Sequence, residues 1–168
     1  MKFNKLIWGG LLLWTQSLPA QTPALLNYST SRFTLQYPEG WEADSSGKMG
    51  TSLILFSPIE GDDDHFRENI NLLSEKSTTA TSLEEYSGQV KKILETMVTD
   101  ATIIRSEKAG DHWRMEYTGK QGKLNLYYLQ YYFLKDGTYW ILTFTTTPEE
   151  KAKHLIAGEA ILDTFSLR

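Results

Sequence analysis

Cysteine is absent from the 168-residue chain. That excludes disulfide staples and a lipid anchor on an N-terminal cysteine, and leaves stability to the core. Histidine is scarce: His65, His112 and His154 are the three, and none is spaced with another as metal ligands would be. Long apolar runs are missing too. The longest, Leu6 to Trp14, is about half of what a bilayer span needs, so the chain is not expected to span a membrane. Positive charge is in the minority, with 17 Lys and Arg against 21 Asp and Glu. Removing Lys2 and Lys5 with the leader described below takes the net charge from -4 to -6, which argues against nucleic acid and against anionic membrane surfaces. There is no Gly-x-Ser-x-Gly elbow, phosphate loop, dinucleotide fingerprint or His-Glu-x-x-His pair. No catalytic residue, metal ligand or cofactor follows from local motifs, and a non-enzymatic role is expected, although a site assembled from distant residues needs no such motif.

Hydrophobic residues make up 40% of the chain, aromatics 12% and charged residues 23%, a globular composition with an aromatic surplus at a length suited to one domain. Residues 1–20 read as a secretion signal: a basic start at Lys2 and Lys5, an apolar stretch, and the small-residue ending SLPA, with cleavage expected after Ala20. The protein is therefore expected to be exported, to a periplasm or outside the cell. Residues 21–30 have no periodicity and read as a short tether, leaving 31–168 as the domain.

The centre of that domain lies between His112 and Thr147, where three strand-like runs separated by Gly-containing turns form a meander. In the middle run Leu124, Leu126, Tyr128, Tyr132 and Leu134 alternate with Tyr127, Leu129, Tyr131 and Phe133. In the next, Trp140, Leu142 and Phe144 alternate with Tyr139 and Ile141. Both faces are apolar, so both must be covered. Two helices are available. Ser82 and Glu85 make a capping box for the first, with Leu83, Tyr86, Val90, Ile93, Leu94 and Met97 as its apolar stripe. Thr147, Pro148 and Glu150 read as the cap of the second, whose stripe is Leu155, Gly158, Leu162 and Phe165. A glycine retained in that stripe points to close helix-on-sheet packing. The fold class expected is α+β: a single-domain α/β/α sandwich with a central antiparallel sheet of about six to seven strands and helices on both faces.

The most polar stretch is IEGDDDHFREN. Asp62, Asp63 and Asp64 with Glu60, His65 and Glu68 bring oxygen ligands close in sequence, but consecutive carboxylates in an extended chain diverge, whereas a calcium loop alternates its ligands around a sharp Gly turn. A solvated acidic loop is expected, and Asp62, Asp63, Asp64 and His65 are the candidate binding residues because loops on a rigid sheet commonly carry recognition.

The order FTLQYPEGWE (33–42), FRENINLLSE (66–75), SLEEYSGQVKKIL (82–94) and AILDTFSL (160–167) resembles the PsbP-like superfamily, which also takes in DcrB-type bacterial proteins and a Ran-binding nuclear transport factor. The resemblance implies an α/β/α sandwich and an accessory or partner-binding role without catalysis. The photosynthetic members' support of a calcium and manganese centre is not carried over, because the leader here is of bacterial secretory type. The expected partner is a protein or an envelope component. The alternative is a small ligand or apolar segment held in a cleft between a helix and the sheet, with Tyr127, Tyr131 and Tyr139 projecting into it.

Overall fold

The computed structural model describes residues 24–76 and 79–168. The expected secretion signal and its cleavage point lie outside the described residues.

Seven antiparallel strands form the main sheet, in the order β3 (Glu42–Asp44), β4 (Leu53–Phe56), β5 (Asn69–Glu75), β9 (Thr138–Thr146), β8 (Leu124–Lys135), β7 (His112–Gln121), β6 (Thr99–Ala109). The expected meander is its longer half. Its hairpins are tight because the chain supplies left-handed residues at the tips: Asp136 and Gly137 both have positive φ, 50° and 68°, as a two-residue turn matching strand twist requires. Helix α1 (Leu83–Met97) carries the chain from β5 across one face to the far edge strand β6, and α2 (Lys151–Leu162) crosses the other face.

Residues 25–29 do not form the expected tether. They are strand β1 (Leu25–Ser29), which pairs with β2 (Phe33–Pro38), and β2 in turn takes the C-terminal β10 (Ser166–Leu167), making a separate three-stranded sheet. The sequence carries no periodicity here because β1 is held by backbone pairing while Leu25 and Leu26 stay exposed; Tyr28 alone turns inward, stacked on Phe33.

The face alternation read from the meander holds. Tyr127, Leu129, Tyr131, Phe133, Trp140, Leu142 and Phe144 share one core with Phe33 and Leu35 of β2 and with Ile161, Leu162 and Phe165 at the end of α2. On the opposite face Met115, Tyr117, Tyr132, Tyr139 and Ile141 pack with Tyr86 and Leu94 of α1. Helices cover both faces, with the small sheet completing the layer beside α2. Gly158 faces the Phe144 ring so closely that a Cβ there would fall within 2.6 Å of it.

Two helical details differ from expectation. Ile93 and Met97 are exposed, while Ser87 is buried, so the buried stripe of α1 runs along Tyr86, Ser87 and Leu94. The second helix begins at Lys151, after a turn over 148–150. Thr147 Oγ1 accepts from the Glu150 amide at 3.3 Å, but the Glu150 carboxylate turns outward to His154 instead of back to Thr147. In α1 Ser82 Oγ accepts from the Glu85 amide as expected, and the Glu85 carboxylate accepts from the amide and hydroxyl of Thr81.

Candidate functional site

The acidic loop connects β4 to β5 and is closed at its neck. The Ser57 amide donates to the Glu68 carbonyl at 2.8 Å, and Arg67 bridges the Ser57 carbonyl and the Glu42 carboxylate. Inside the loop Asp64 is the organiser. One of its carboxylate oxygens accepts from the Glu60 amide at 3.0 Å and the other from the Phe66 amide at 3.2 Å. The Glu60 amide is the main reason its carboxyl is held below the usual carboxylate range, against the opposing effect of desolvation. Asp62 and Asp63 are exposed, and so is His65.

The loop faces the start of α2 across a cleft of about 430 Å³. Its base is Glu68, only 3% exposed, which accepts from Ser57 Oγ at 3.3 Å and from Thr146 Oγ1 at 3.0 Å. From α2, Lys153 pairs with Glu60, and His154 Nε2 lies 3.6 Å from Glu60, 3.8 Å from Glu68 and 3.6 Å from Glu150. All four sequence candidates, Asp62, Asp63, Asp64 and His65, line this cleft. They divide by role: Asp64 builds the loop, while Asp62 and Asp63 present charge. Sequence reading weighed Glu68 only as a member of the acidic run and missed Lys153 and His154, which come from a helix over eighty residues away. The one available signal was Glu150 four residues before His154 on a helix. Among the described residues no group of three or more His, Asp or Glu is arranged to hold a metal ion, and here the Lys153 ammonium already sits on Glu60. What the cleft can do chemically is offer carboxylates to a cationic surface.

A second polar cluster lies beneath α2. Arg114 donates to Glu116 at 2.9 Å, to the Tyr131 hydroxyl at 3.1 Å and to Glu159, while Tyr127 donates to Glu116 at 2.6 Å and Tyr131 to Asp163 at 3.1 Å. Burial alone would lower the pKa of Arg114, but its bonds to Glu159 and Glu116 outweigh that and raise it. This network ties α2 to β7 and β8. It also corrects the expected cleft tyrosines. Tyr127 and Tyr131 are core residues beneath α2 with hydroxyls spent on carboxylates, and burial raises both their pKa values. Tyr139 is buried on the opposite face, donating to the Ser82 carbonyl at 3.2 Å.

A helix-to-sheet groove does exist, on the α1 side, and other residues line it. Helix α1 covers β6 to β8 but leaves the face open where β4, β5 and β9 meet the middle of β8. The groove there has a volume of about 580 Å³. Strand register sets its floor as two rows. One runs Ile54, Asn71, Thr143, Gln130; the other runs Phe56, Asn69, Thr145, Tyr128, Tyr117. Met49 and Met97 stand at its rim, 81% and 78% exposed.

No family model matches the chain, and no curated protein matches it. Solved structures do. The cyanobacterial PsbP, CyanoP, of Synechocystis sp. PCC 6803 superposes with a TM-score of 0.62 at 17% identity, covering 92% of this chain and 98% of its own. A Pseudomonas aeruginosa protein of unknown function, PA94, does so with a TM-score of 0.63 at 16% identity, covering 86% of this chain and 97% of its own. LpqN of Mycobacterium tuberculosis, described as involved in cell envelope biogenesis, has a TM-score of 0.57 at 12% identity, over 80% and 82%. The fold is PsbP-like.

Proposed function

We propose that this chain is an exported, non-catalytic binding module whose acidic cleft takes a basic surface of a partner protein or envelope component. The observation that carries this reading is that the loop is built and not merely solvated: Asp64 braces it from within and Lys153 ties its Glu60 to α2, while the Asp62 and Asp63 side chains project without a hydrogen bond among the described residues. Fold alone assigns no function, and the site must. The cleft brings together seven carboxylates, of Glu60, Asp62, Asp63, Asp64, Glu68, Glu149 and Glu150, against Lys153 and two histidines, so its field attracts cations. A role of LpqN in the cell envelope fits an envelope partner.

The test replaces Asp62 and Asp63 together by Ser and leaves Asp64, whose removal would open the loop. Charges at a rim act mainly on association rate and salt dependence. Capture of the host partner should weaken several-fold and lose its salt sensitivity, with the thermal midpoint unchanged. Undiminished, equally salt-sensitive capture would place the contact surface elsewhere. Export is checked separately: protein recovered from its producing cell should begin at Gln21, and an intact Met1 in a cytoplasmic fraction would contradict it.

A further inference from the structure

We infer that the α1-side groove is a second binding site, for a small neutral saccharide. Where α1 packs on this face it meets a mainly apolar cluster, yet over the groove five side chains in adjoining register positions are amides or hydroxyls: Asn69, Asn71, Gln130, Thr143 and Thr145. Two of them are almost enclosed, Thr143 and Thr145 being 5% exposed each. Thr143 Oγ1 accepts from the Gln130 amide at 3.0 Å, whereas the Thr145 hydroxyl and the Asn71 amide have no hydrogen-bond partner among the described residues. No wholly enclosed side-chain nitrogen or oxygen among those residues lacks a partner, so the Thr145 hydroxyl must reach the groove. Thr145 is thus a nearly enclosed side chain whose hydroxyl opens into a concave site and is left unbonded among the described residues.

The chemistry of the lining selects the occupant. A phosphate or carboxylate finds no free cation, since Lys120, the one charged residue there, pairs with Asp100. A cationic ligand finds no acid. An apolar helix would strip water from the amides and hydroxyls without replacing their hydrogen bonds, which is costly. Amide and hydroxyl side chains both donate and accept, as sugar hydroxyls do, and the stacked pair Tyr117 and Tyr128, 4.6 Å between ring centroids, supplies an apolar flank for a sugar's C–H face. The volume falls within the usual small-ligand range, and Met49 and Met97 provide adaptable thioether lips. The acidic cleft is a separate feature and shares only Phe66 with this groove.

The experiment is a titration of the mature protein with short neutral oligosaccharides of glucose, mannose, galactose or N-acetylglucosamine, followed by amide chemical-shift changes. At least one sugar should shift resonances of β5, β8 and β9 around Asn71, Gln130 and Thr145. Thr145→Val, which keeps the shape and removes the hydroxyl, should weaken that binding about tenfold, as loss of one neutral hydrogen bond does, with the thermal midpoint maintained. Asn71→Ser serves as a second variant with the same expectation, while the Asp62 and Asp63 double variant should bind the sugar normally. Shifts confined to other surfaces, binding indifferent to both groove variants, no response to any of the sugars, or displacement by an extended uncharged peptide that binds more tightly would each overturn the assignment.

Discussion

Gly158 and Gly88 allow one substitution to be made twice with opposite results. Each lies in the middle of a helix, so replacement by Ala should gain up to about 1 kcal/mol of helix propensity at either place. Around Gly88 in α1 an added Cβ meets nothing within 4 Å. Around Gly158 in α2 it would come within 2.6 Å of two atoms of the Phe144 ring and 2.7 Å of a third. Phe144 cannot swing aside: it is fully buried on β9, between Ile70 of β5 and Leu129 of β8. Either α2 lifts or the ring leaves its rotamer, and overpacking of that kind typically costs about 1–3 kcal/mol. The net expectation is a gain of up to about 1 kcal/mol for Gly88→Ala and a loss of about 1 kcal/mol for Gly158→Ala. At about 3 °C per kcal/mol for a domain of this size, the two thermal midpoints should differ by about 6 °C. Urea unfolding and calorimetry of the parent protein and both variants measure this. In a Phe144→Leu background the penalty of Gly158→Ala should shrink, because the two residues share one contact. If Gly158→Ala is as stable as Gly88→Ala, α2 does not sit on Phe144 as described.

Trp140 is 4% exposed, edge-on to Phe33 with 5.8 Å between ring centroids and with the Arg32 guanidinium 4.4 Å from its ring centre, so Trp140→Ala should cost about 3–5 kcal/mol by urea unfolding. A loss below about 1 kcal/mol would mean that this face of the sheet is open to solvent. Burial alone would raise the Glu116 carboxyl, but the Tyr127 hydroxyl and Arg114 outweigh it and hold its pKa below the ordinary 4.5. A depressed folded pKa gives stability that is complete above the unfolded value and is lost as pH falls through 4.5 toward the folded value. Glu116→Gln should therefore flatten the acid limb of the stability profile, and an unchanged slope would show that the network is not responsible for it. Calorimetric titration with calcium should find nothing tighter than millimolar, because both Asp64 oxygens already accept backbone amides; micromolar binding abolished by Asp63→Asn would contradict that.

Side-chain periodicity was enough to set the layers, because alternation across β8 and β9 and the stripes of two capped helices are local properties of the chain. Two apolar faces demand two covers, and Gly158 in the α2 stripe marked a close approach that Phe144 now explains. Strand β1 escaped because its order comes from pairing with β2, and a strand with few buried side chains leaves no hydrophobic pattern. The acidic loop was legible as polar, but whether it is a free loop or one wall of a cleft depended on His154 and Lys153, which only the crossing of α2 brings within reach. The groove had a trace in the sequence: Asn69, Asn71, Gln130, Thr143 and Thr145 interrupt a face that is mainly apolar. Alternation tells which side of a strand a residue occupies. Where along that side the covering helix ends is a matter of helix position, and that decided that five polar residues on three-dimensionally adjacent strands floor a groove while Tyr127, Tyr131 and Tyr139, equally well patterned, are sealed in the core.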